Sequence, residues 1–266
     1  MDSTEVLLVA AVGLIAGVGG GLAGLGGSLF MLPGLALFLG YGSELRSEHH
    51  LYMAAALTTN VLISAPAAHR HYLNGLVRVR WLRILLPTTL STIAVGVWLS
   101  NRYSGELLLR MLGVVIAAAI VFNLAVHHWP RKARLVIREE PAPRRSLVSG
   151  LGLLTGLLAG LLGIGGGAIL VTALQTLGRM DVKPAIGTSS AAICLTAVVG
   201  ATFKLATLHQ HGFAVADALS LAVVMGAWAM LGSVLGATLT QKLPVVAVRW
   251  IAATLLLLIA ARMILS

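Results

Sequence analysis

The sequence predicts an all-α, polytopic membrane protein made of two repeats, and three observations predict it. Of the 266 residues, 58% are hydrophobic and 11% are charged, whereas soluble domains carry about 25% charged residues. Apolar runs long enough to cross a bilayer recur along the chain. In each half one such run is interrupted by glycines, at 24–28 and again at 163–167. These features indicate an integral membrane protein with an internal repeat.

The two glycine interruptions correspond residue by residue at a constant offset. The segment Thr58-Thr59-Asn60 also corresponds to Thr188-Ser189-Ser190, with a shorter intervening loop. Self-similarity of this kind predicts two equivalent structural units. The matched glycines are Gly17, Gly21, Gly24, Gly26 and Gly27 in the first half and Gly156, Gly160, Gly163, Gly165 and Gly166 in the second.

The apolar runs define the helices of each half. The first half has predicted spans at 6–22, 51–68, 81–100 and 106–126, and a short resumed helix at 28–40. The second half has spans at 147–162, 185–205, 214–240 and 245–265, and a resumed helix at 168–177. We therefore expect a first transmembrane repeat at 1–126, a basic cytoplasmic linker at 127–146 and a second transmembrane repeat at 147–266, all within one integral membrane domain.

The basic residues bear on the direction of the helices. If each broken helix crosses the membrane once, the chain has about eight spans and its halves point the same way. If each broken helix enters and returns, the chain has 5+5 segments and the repeats are inverted. The inverted arrangement places slightly more of the 19 Lys and Arg residues in the cytoplasm, so the positive-inside rule favours it. Both arrangements place the linker and the loop at 70–80 in the cytoplasm.

Composition and motifs exclude several classes of function. The net charge of +10 is explained by basic cytoplasmic loops, so no nucleic acid partner is expected. The chain lacks a G-x-S-x-G elbow, an H-E-x-x-H motif and paired acids within its spans, so we expect no enzyme. The single Cys194 offers no disulfide. The His69/His71 and His209/His211 spacings are weak signals for metal binding, so no metal and no cofactor are expected.

The paired breaks predict an anion-binding site. Each resumed helix presents unpaired N–H groups and a partial positive charge at its N-terminus, and two such ends can converge near the bilayer midplane. Nearby Ser, Thr and Asn side chains would add neutral donors, unless they bond back to carbonyls of their own helices. The candidate substrate-binding residues are Gly24, Gly26, Gly27, Ser28, Thr58, Thr59, Asn60, Gly163, Gly165, Gly166, Gly167, Thr188, Ser189 and Ser190.

Two further residues are candidate cationic contacts, His71 and Lys204, which lie near span ends. The commoner role for a Lys so placed is to extend to the membrane interface. No Asp or Glu lies in the middle of a predicted span. Proton coupling, if the protein uses it, would therefore need His, Asp217 or the substrate itself. The sequence leaves proton coupling and a homo-oligomeric state open.

The residues of the second break carry a family resemblance. Residues 156–167, GLLAGLLGIGGG, followed by AIGTSS at 185–190, resemble the signature of the sulfite exporter TauE/SafE family. The first-half copy is looser, since Ser28 stands where the second half has Gly167. Pro33 resembles the proline that often follows the motif, and Thr172 departs from it. The resemblance runs over both halves.

That resemblance implies a multi-pass permease of the bacterial inner membrane that handles sulfur-containing anions such as sulfite or organosulfonates. Export is the usual direction for the family. The expected partners are the lipid bilayer and a small anionic substrate. Two alternatives stay open: a permease for another small solute or ion, and a non-transporting membrane assembly protein, which would be expected to carry a soluble domain or an interaction tail.

Overall fold

The computed structural model describes the chain in parts, and those parts are helices joined by turns. No strand occurs in any described range, so the predicted all-α class is confirmed. The described residues are 3–23, 27–42, 46–128, 143–242, 254, 257–258 and 260–264.

The helices coincide with the predicted spans and differ from them mainly at their ends. Five of the described helices are long and apolar enough to cross a membrane, which agrees with the predicted polytopic architecture. Most of the linker and of the predicted span at 245–265 lies outside the described residues. The helices are α1 (Ser3–Ala23), α2 (Ser28–Phe38), α3 (Glu48–Leu73), α4 (Val79–Ser100), α5 (Gly105–His128), α6 (Arg145–Leu162), α7 (Gly167–Thr176), α8 (Val182–Thr207), a 3-10 helix (Leu208–His211) and α9 (Val215–Lys242).

Glycines bring α6 against α4 at backbone distance. Gly152 faces Leu85 and Thr88, and one turn later Gly156 faces Thr89 and Thr92. A Cβ atom on either glycine would overlap the facing helix. Since residue numbers increase together along both helices, α4 and α6 are parallel. This is the small-xxx-small packing that membrane helices use for close approach.

The same packing joins α1 and α9. Gly13 faces the backbone of Met225, and Gly17 faces that of Ala229. Gly232 of α9 in turn faces Leu14. These two helices are also parallel, so each half contributes a glycine-rich helix that packs on a helix of the other half.

Both broken elements turn back on themselves. In the first half, Gly34 of α2 meets Val12 while Phe30 meets Gly19, so α2 runs antiparallel to α1. In the second half, Gly178, just after α7, meets the ring of Trp81 near the start of α4. Because α6 starts at that same end, α7 returns to the face from which α6 enters. The contacts therefore agree with the arrangement in which each broken helix enters and returns.

Equivalent helices of the two halves run in opposite directions. Thr59 of α3 donates to the Ala222 carbonyl of α9 at 3.2 Å, and Gly226 meets Leu62, so α9 and α3 are parallel. Because α1 is parallel to α9, and α9 to α3, helix α1 starts at the same face as α3. Its counterpart α6 is parallel to α4, which starts where α3 ends, so α6 starts at the other face. We call the face on which α6 starts the basic face, since it carries Arg70, Arg78, Arg80, Arg145 and Lys183. The other is the opposite face.

Candidate functional site

The second-half break is built on glycines in a left-handed conformation. The φ angles of Gly163, Gly165 and Gly166 are 72°, 67° and 68°, values that L-residues with a side chain rarely adopt. Gly163 ends α6 by donating its N–H to the Ala159 carbonyl at 2.9 Å, and Gly166 precedes the first turn of α7. Glycine at these positions allows a helix to stop and restart within a few residues.

The first-half break is described only at its end. Gly24 and Gly26 lie outside the described residues. Gly27 precedes α2 with an ordinary helical φ of −69°, and Ser28 begins α2, its side chain lying outside the described part. The two broken elements do meet, because a Cβ atom on Gly163 would lie 3.1 Å from Leu32 of α2.

A small cavity adjoins the second break. Its volume is about 10 Å³, which is room for the centre of one water molecule. Three of its lining hydroxyls donate to carbonyls of their own helices: Thr89 to Leu85 at 2.8 Å, Thr155 to Leu151 at 2.6 Å and Thr196 to Ala192 at 2.9 Å. The lining residues are Thr89, Thr155, Gly156, Ala159, Gly165, Gly166, Leu170, Ala192, Ile193 and Thr196.

The sequence reasoning did not single out these three threonines. Thr155 precedes the break by two turns of α6, so its proximity could have been inferred from helical spacing. Thr89 and Thr196 come from α4 and α8, and only the tertiary packing shows that they meet at the break.

Asn60 is the predicted polar residue that reaches the break. A Cβ atom on Gly165 would lie 2.8 Å from its Nδ2 atom, so only glycine leaves room for the amide. Asn60 is 6% exposed, and its Nδ2 atom has no hydrogen-bond partner among the described residues. A buried donor without a partner is costly, which makes this amide a candidate ligand-binding group.

Of the other predicted hydroxyl residues, Thr59 bonds to the Ala222 carbonyl of α9, and four more divide into three groups. Ser189 lies at the break, with Oγ 3.4 Å from the Gly167 carbonyl. Thr188 accepts from the backbone N–H of Arg78 at 2.9 Å and so ties α8 to the basic face. Thr58 and Ser190 donate to carbonyls of their own helices at 2.8 Å, the alternative that the sequence left open.

The two candidate cations lie apart from the break. His71 is half-buried near the end of α3 at the basic face. Lys204 lies eight residues beyond Thr196 on α8, or about 12 Å along the helix. The expectation that Lys204 extends to the interface is wrong: the residue is fully buried. Its amine has three polar partners within the protein, so it has no need to reach water.

Comparison with known proteins identifies the family to which the chain belongs. The sulfite exporter TauE/SafE family model matches residues 9–263. The chain belongs to the sulfite exporter TauE/SafE family. The predicted resemblance is thereby confirmed, and the protein is a multi-pass membrane protein. No solved structure matches it.

Several relatives carry transporter names. A probable membrane transporter protein of Haemophilus influenzae is 29% identical, and the alignment covers 99% of both chains. The probable membrane transporter protein MamO of Magnetospirillum gryphiswaldense is 27% identical over 98% of this chain, which spans 45% of that relative's length. The probable membrane transporter protein YunE of Bacillus subtilis is 33% identical over 41% of this chain.

Proposed function

We propose that this protein is a secondary transporter that exports a small sulfur-containing anion, sulfite or an organosulfonate, across the bacterial inner membrane. The anion is held at the broken helices, and no chemical step accompanies its passage. Family membership supports the transporter and its substrate class. The observation that carries the binding site is the unpartnered amide of Asn60 at Gly165.

The break offers an anion several donors and no negative charge. The first N–H groups of α7 lack partners within that helix, and its N-terminus carries roughly half a positive charge. The Asn60 amide adds donors on the side of α3. Sulfite and sulfonates present three oxygen atoms, which backbone and amide N–H groups can satisfy without a fixed cation.

The site is closed in this conformation. A cavity of about 10 Å³ holds a water molecule but is too small for sulfite. Transport therefore requires the α6–α7 hairpin to move relative to α4 and α8. The inverted repeats provide two such hairpins, one entering from each face, which suits a carrier that opens to the two sides in turn.

The test is anion flux into proteoliposomes that contain the purified protein. Sulfite, thiosulfate, isethionate and chloride are offered in turn, and we expect saturable flux of a sulfur oxyanion in preference to chloride. Gly165→Leu should abolish that flux, since a side chain at Gly165 would occupy the space of the Asn60 amide. Gly150→Leu is the matched control, because no atom lies within 4 Å of a Cβ there.

Two outcomes would contradict the proposal. Equal flux of chloride and sulfite would contradict the proposed substrate class but would still be consistent with a transporter. Normal sulfite flux through a well-expressed Gly165→Leu variant would show that the second break is not the binding site. If folded wild-type protein moves none of these anions, the same vesicles are to be tested with other small solutes and ions.

A further inference from the structure

A buried polar cluster surrounds Lys204 where α8 approaches the opposite face. The Nζ atom lies 2.8 Å from Nδ1 of His50, 3.0 Å from Oγ of Ser100 and 2.7 Å from Oδ1 of Asn101. Lys204 and Ser100 are fully buried, and His50 is 2% exposed. The partners belong to α3 and to the end of α4, whereas Lys204 belongs to the second half. We call Lys204, His50, Ser100, Asn101 and His211 the lysine cluster.

His211 is the member of the lysine cluster that reaches the surface. Its ring stacks on that of His50, with centroids 3.6 Å apart and planes 10° from parallel. Its Nε2 atom is 3.4 Å from Oδ1 of Asn101, the same oxygen that Lys204 contacts. His211 is half-buried, so it can exchange protons with solvent. A continuous set of hydrogen-bonding groups thus joins the opposite face to the lysine amine.

The lysine cluster is fully hydrogen-bonded in either charge state of Lys204. A charged ammonium donates its three N–H groups to His50, Ser100 and Asn101. A neutral amine keeps two N–H groups, and its lone pair accepts from the Ser100 hydroxyl once that hydroxyl turns away from the Val97 carbonyl, to which it donates at 2.8 Å. The Val97 carbonyl still accepts from the Asn101 N–H at 3.2 Å. Neither state leaves a buried polar atom unpaired, so a proton can be gained or lost without breaking the network.

No acidic side chain among the described residues fixes the charge of Lys204. Glu48 accepts from the Gly42 N–H at 3.1 Å, and Asp217 accepts from the Ala214 N–H at 3.0 Å. Hydrogen bonds to an ammonium favour its charge, whereas burial opposes it, so the two states compete.

The titratable and charged groups around the cluster are Tyr41, Arg46, Glu48 and His49 from α3 and the turn before it, Arg102 and Tyr103 after α4, His209 and His211 on the 3-10 helix, and Asp217 on α9.

Tyr41 is a neutral member of these surroundings. Burial, followed by the neighbouring Tyr52, raises the pKa of its phenol above the ordinary value. Its hydroxyl pairs with Nδ1 of His49 at 3.0 Å, and the buried Nε2 atom of His49 has no hydrogen-bond partner among the described residues. Tyr41 and His49 therefore add no negative charge near the lysine cluster.

We propose that the lysine cluster is a proton-binding site that couples movement of the anion to a proton gradient. The inference rests on the proposed function, because coupling requires a transported substrate. The cluster joins α3 and α4 of the first half to α8 and the 3-10 helix of the second half. A movement of one half relative to the other therefore changes the partners of Lys204, which links protonation to the conformation of the carrier.

Two variants with opposite chemistry test this role in sulfite-loaded proteoliposomes. Lys204→Met removes the proton-binding atom. Asn101→Asp places a carboxylate where an amide oxygen lies 2.7 Å from Nζ, which holds the ammonium in its charged form. We expect a pH gradient to drive sulfite accumulation by the wild type and by Lys183→Met, a control at an exposed lysine on the same helix.

For Lys204→Met and Asn101→Asp we expect sulfite exchange to be retained while accumulation falls to the value measured without a gradient. A merely structural role would lower exchange and accumulation together. Accumulation by Lys204→Met in proportion to its exchange would overturn the inference. If the pH gradient has no effect on sulfite flux by the wild type, the proton-coupling inference is also overturned. The proposed function would still stand in that case.

A second measurement needs no substrate. The chain has four lysines, so selective ¹⁵N labelling gives few side-chain signals, and the Lys204 signal is the one that Lys204→Met lacks. We expect the position of that signal to change as the pH is varied in wild-type protein. If no anion is transported but the signal titrates, the proposed function fails and the proton site stands. A signal that does not change with pH would overturn the proton site itself.

Discussion

At the scale of residues, one close contact explains why the break has its sequence. Gly165 adopts a φ of 67°, and the Asn60 amide lies where its Cβ atom would be. Glycine is therefore required there twice, once for its conformation and once for its size. The result is a buried donor that has no partner in the part of the chain that the structure describes, placed beside the N-terminus of a short helix. Both features suit the anion that we propose as the substrate.

Substitution of Asn60 tests this contact. A hydrogen bond to a charged group contributes about 1.5–3 kcal/mol, so Asn60→Ala should weaken sulfite binding by roughly 10- to 100-fold. Asn60→Asp adds a negative charge at the site and should abolish sulfite flux. Thr58→Val is the matched control, two residues away, because the Thr58 hydroxyl donates to the Ala54 carbonyl of its own helix. The measurement is the concentration dependence of sulfite flux in proteoliposomes.

The control decides how a loss is interpreted. If Thr58→Val reduces flux as much as Asn60→Ala, this part of α3 acts through packing and not through the amide. If Asn60→Ala leaves the sulfite affinity unchanged, Asn60 does not bind the substrate.

Sequence reasoning reaches part of the site at this scale. The glycines and Asn60 were predicted because they lie in segments that repeat along the chain. The lysine cluster was not, since His50, Asn101 and Lys204 are far apart in sequence and belong to no shared motif. Lys204 alone suggests a side chain that reaches the interface. Its burial depends on partners that only the packing of α3, α4 and α8 brings together.

At the scale of elements, the glycine stripes decide which helices meet. Gly152, Gly156 and Gly160 form one face of α6, and each faces a backbone atom or a β-branched side chain of α4. In a bilayer, such close contacts replace the hydrophobic effect as the source of helix association. The sequence predicted the helix, and the i, i+4 spacing of these glycines is visible in it, but spacing alone does not identify the partner helix.

A leucine in this stripe should destabilise the protein. A Cβ atom on Gly156 would overlap Thr92 and the Thr89 carbonyl, and overpacking of this kind costs typically about 1–3 kcal/mol. For a chain of this size that corresponds to a fall in Tm of roughly 2–4 °C per kcal/mol. Gly150→Leu on the same helix faces open space and shares any gain in helix propensity.

Thermal unfolding in detergent measures the difference between these two variants. We expect Gly156→Leu to unfold several degrees below Gly150→Leu. Equal Tm values would show that α4 and α6 separate in detergent or tolerate the side chain by shifting apart.

At the scale of the whole molecule, the charge pattern and the packing agree. Basic residues such as Arg78, Arg145 and Lys183 lie at the face where α6 and α8 begin, so the positive-inside rule assigns that face to the cytoplasm. Counting Lys and Arg residues alone distinguishes the two topologies weakly, because the number placed in the cytoplasm differs by only a few residues. The contacts separate them better, because a re-entrant α7 must end beside Trp81, whereas a crossing α7 would end at the opposite face.

Labelling of single cysteines tests this orientation in intact cells. In a Cys194→Ser background, Tyr72→Cys and Ser104→Cys are references, since both topologies place Tyr72 inside and Ser104 outside. Val182→Cys and Gln210→Cys discriminate between the topologies, and both residues are exposed. With re-entrant hairpins, a membrane-impermeant maleimide should label Gln210→Cys like the outside reference and should leave Val182→Cys unlabelled. With single crossings the two results exchange. Because Gln210 adjoins His211 of the lysine cluster, labelling at Gln210 would also place the exposed end of that cluster on the periplasmic side.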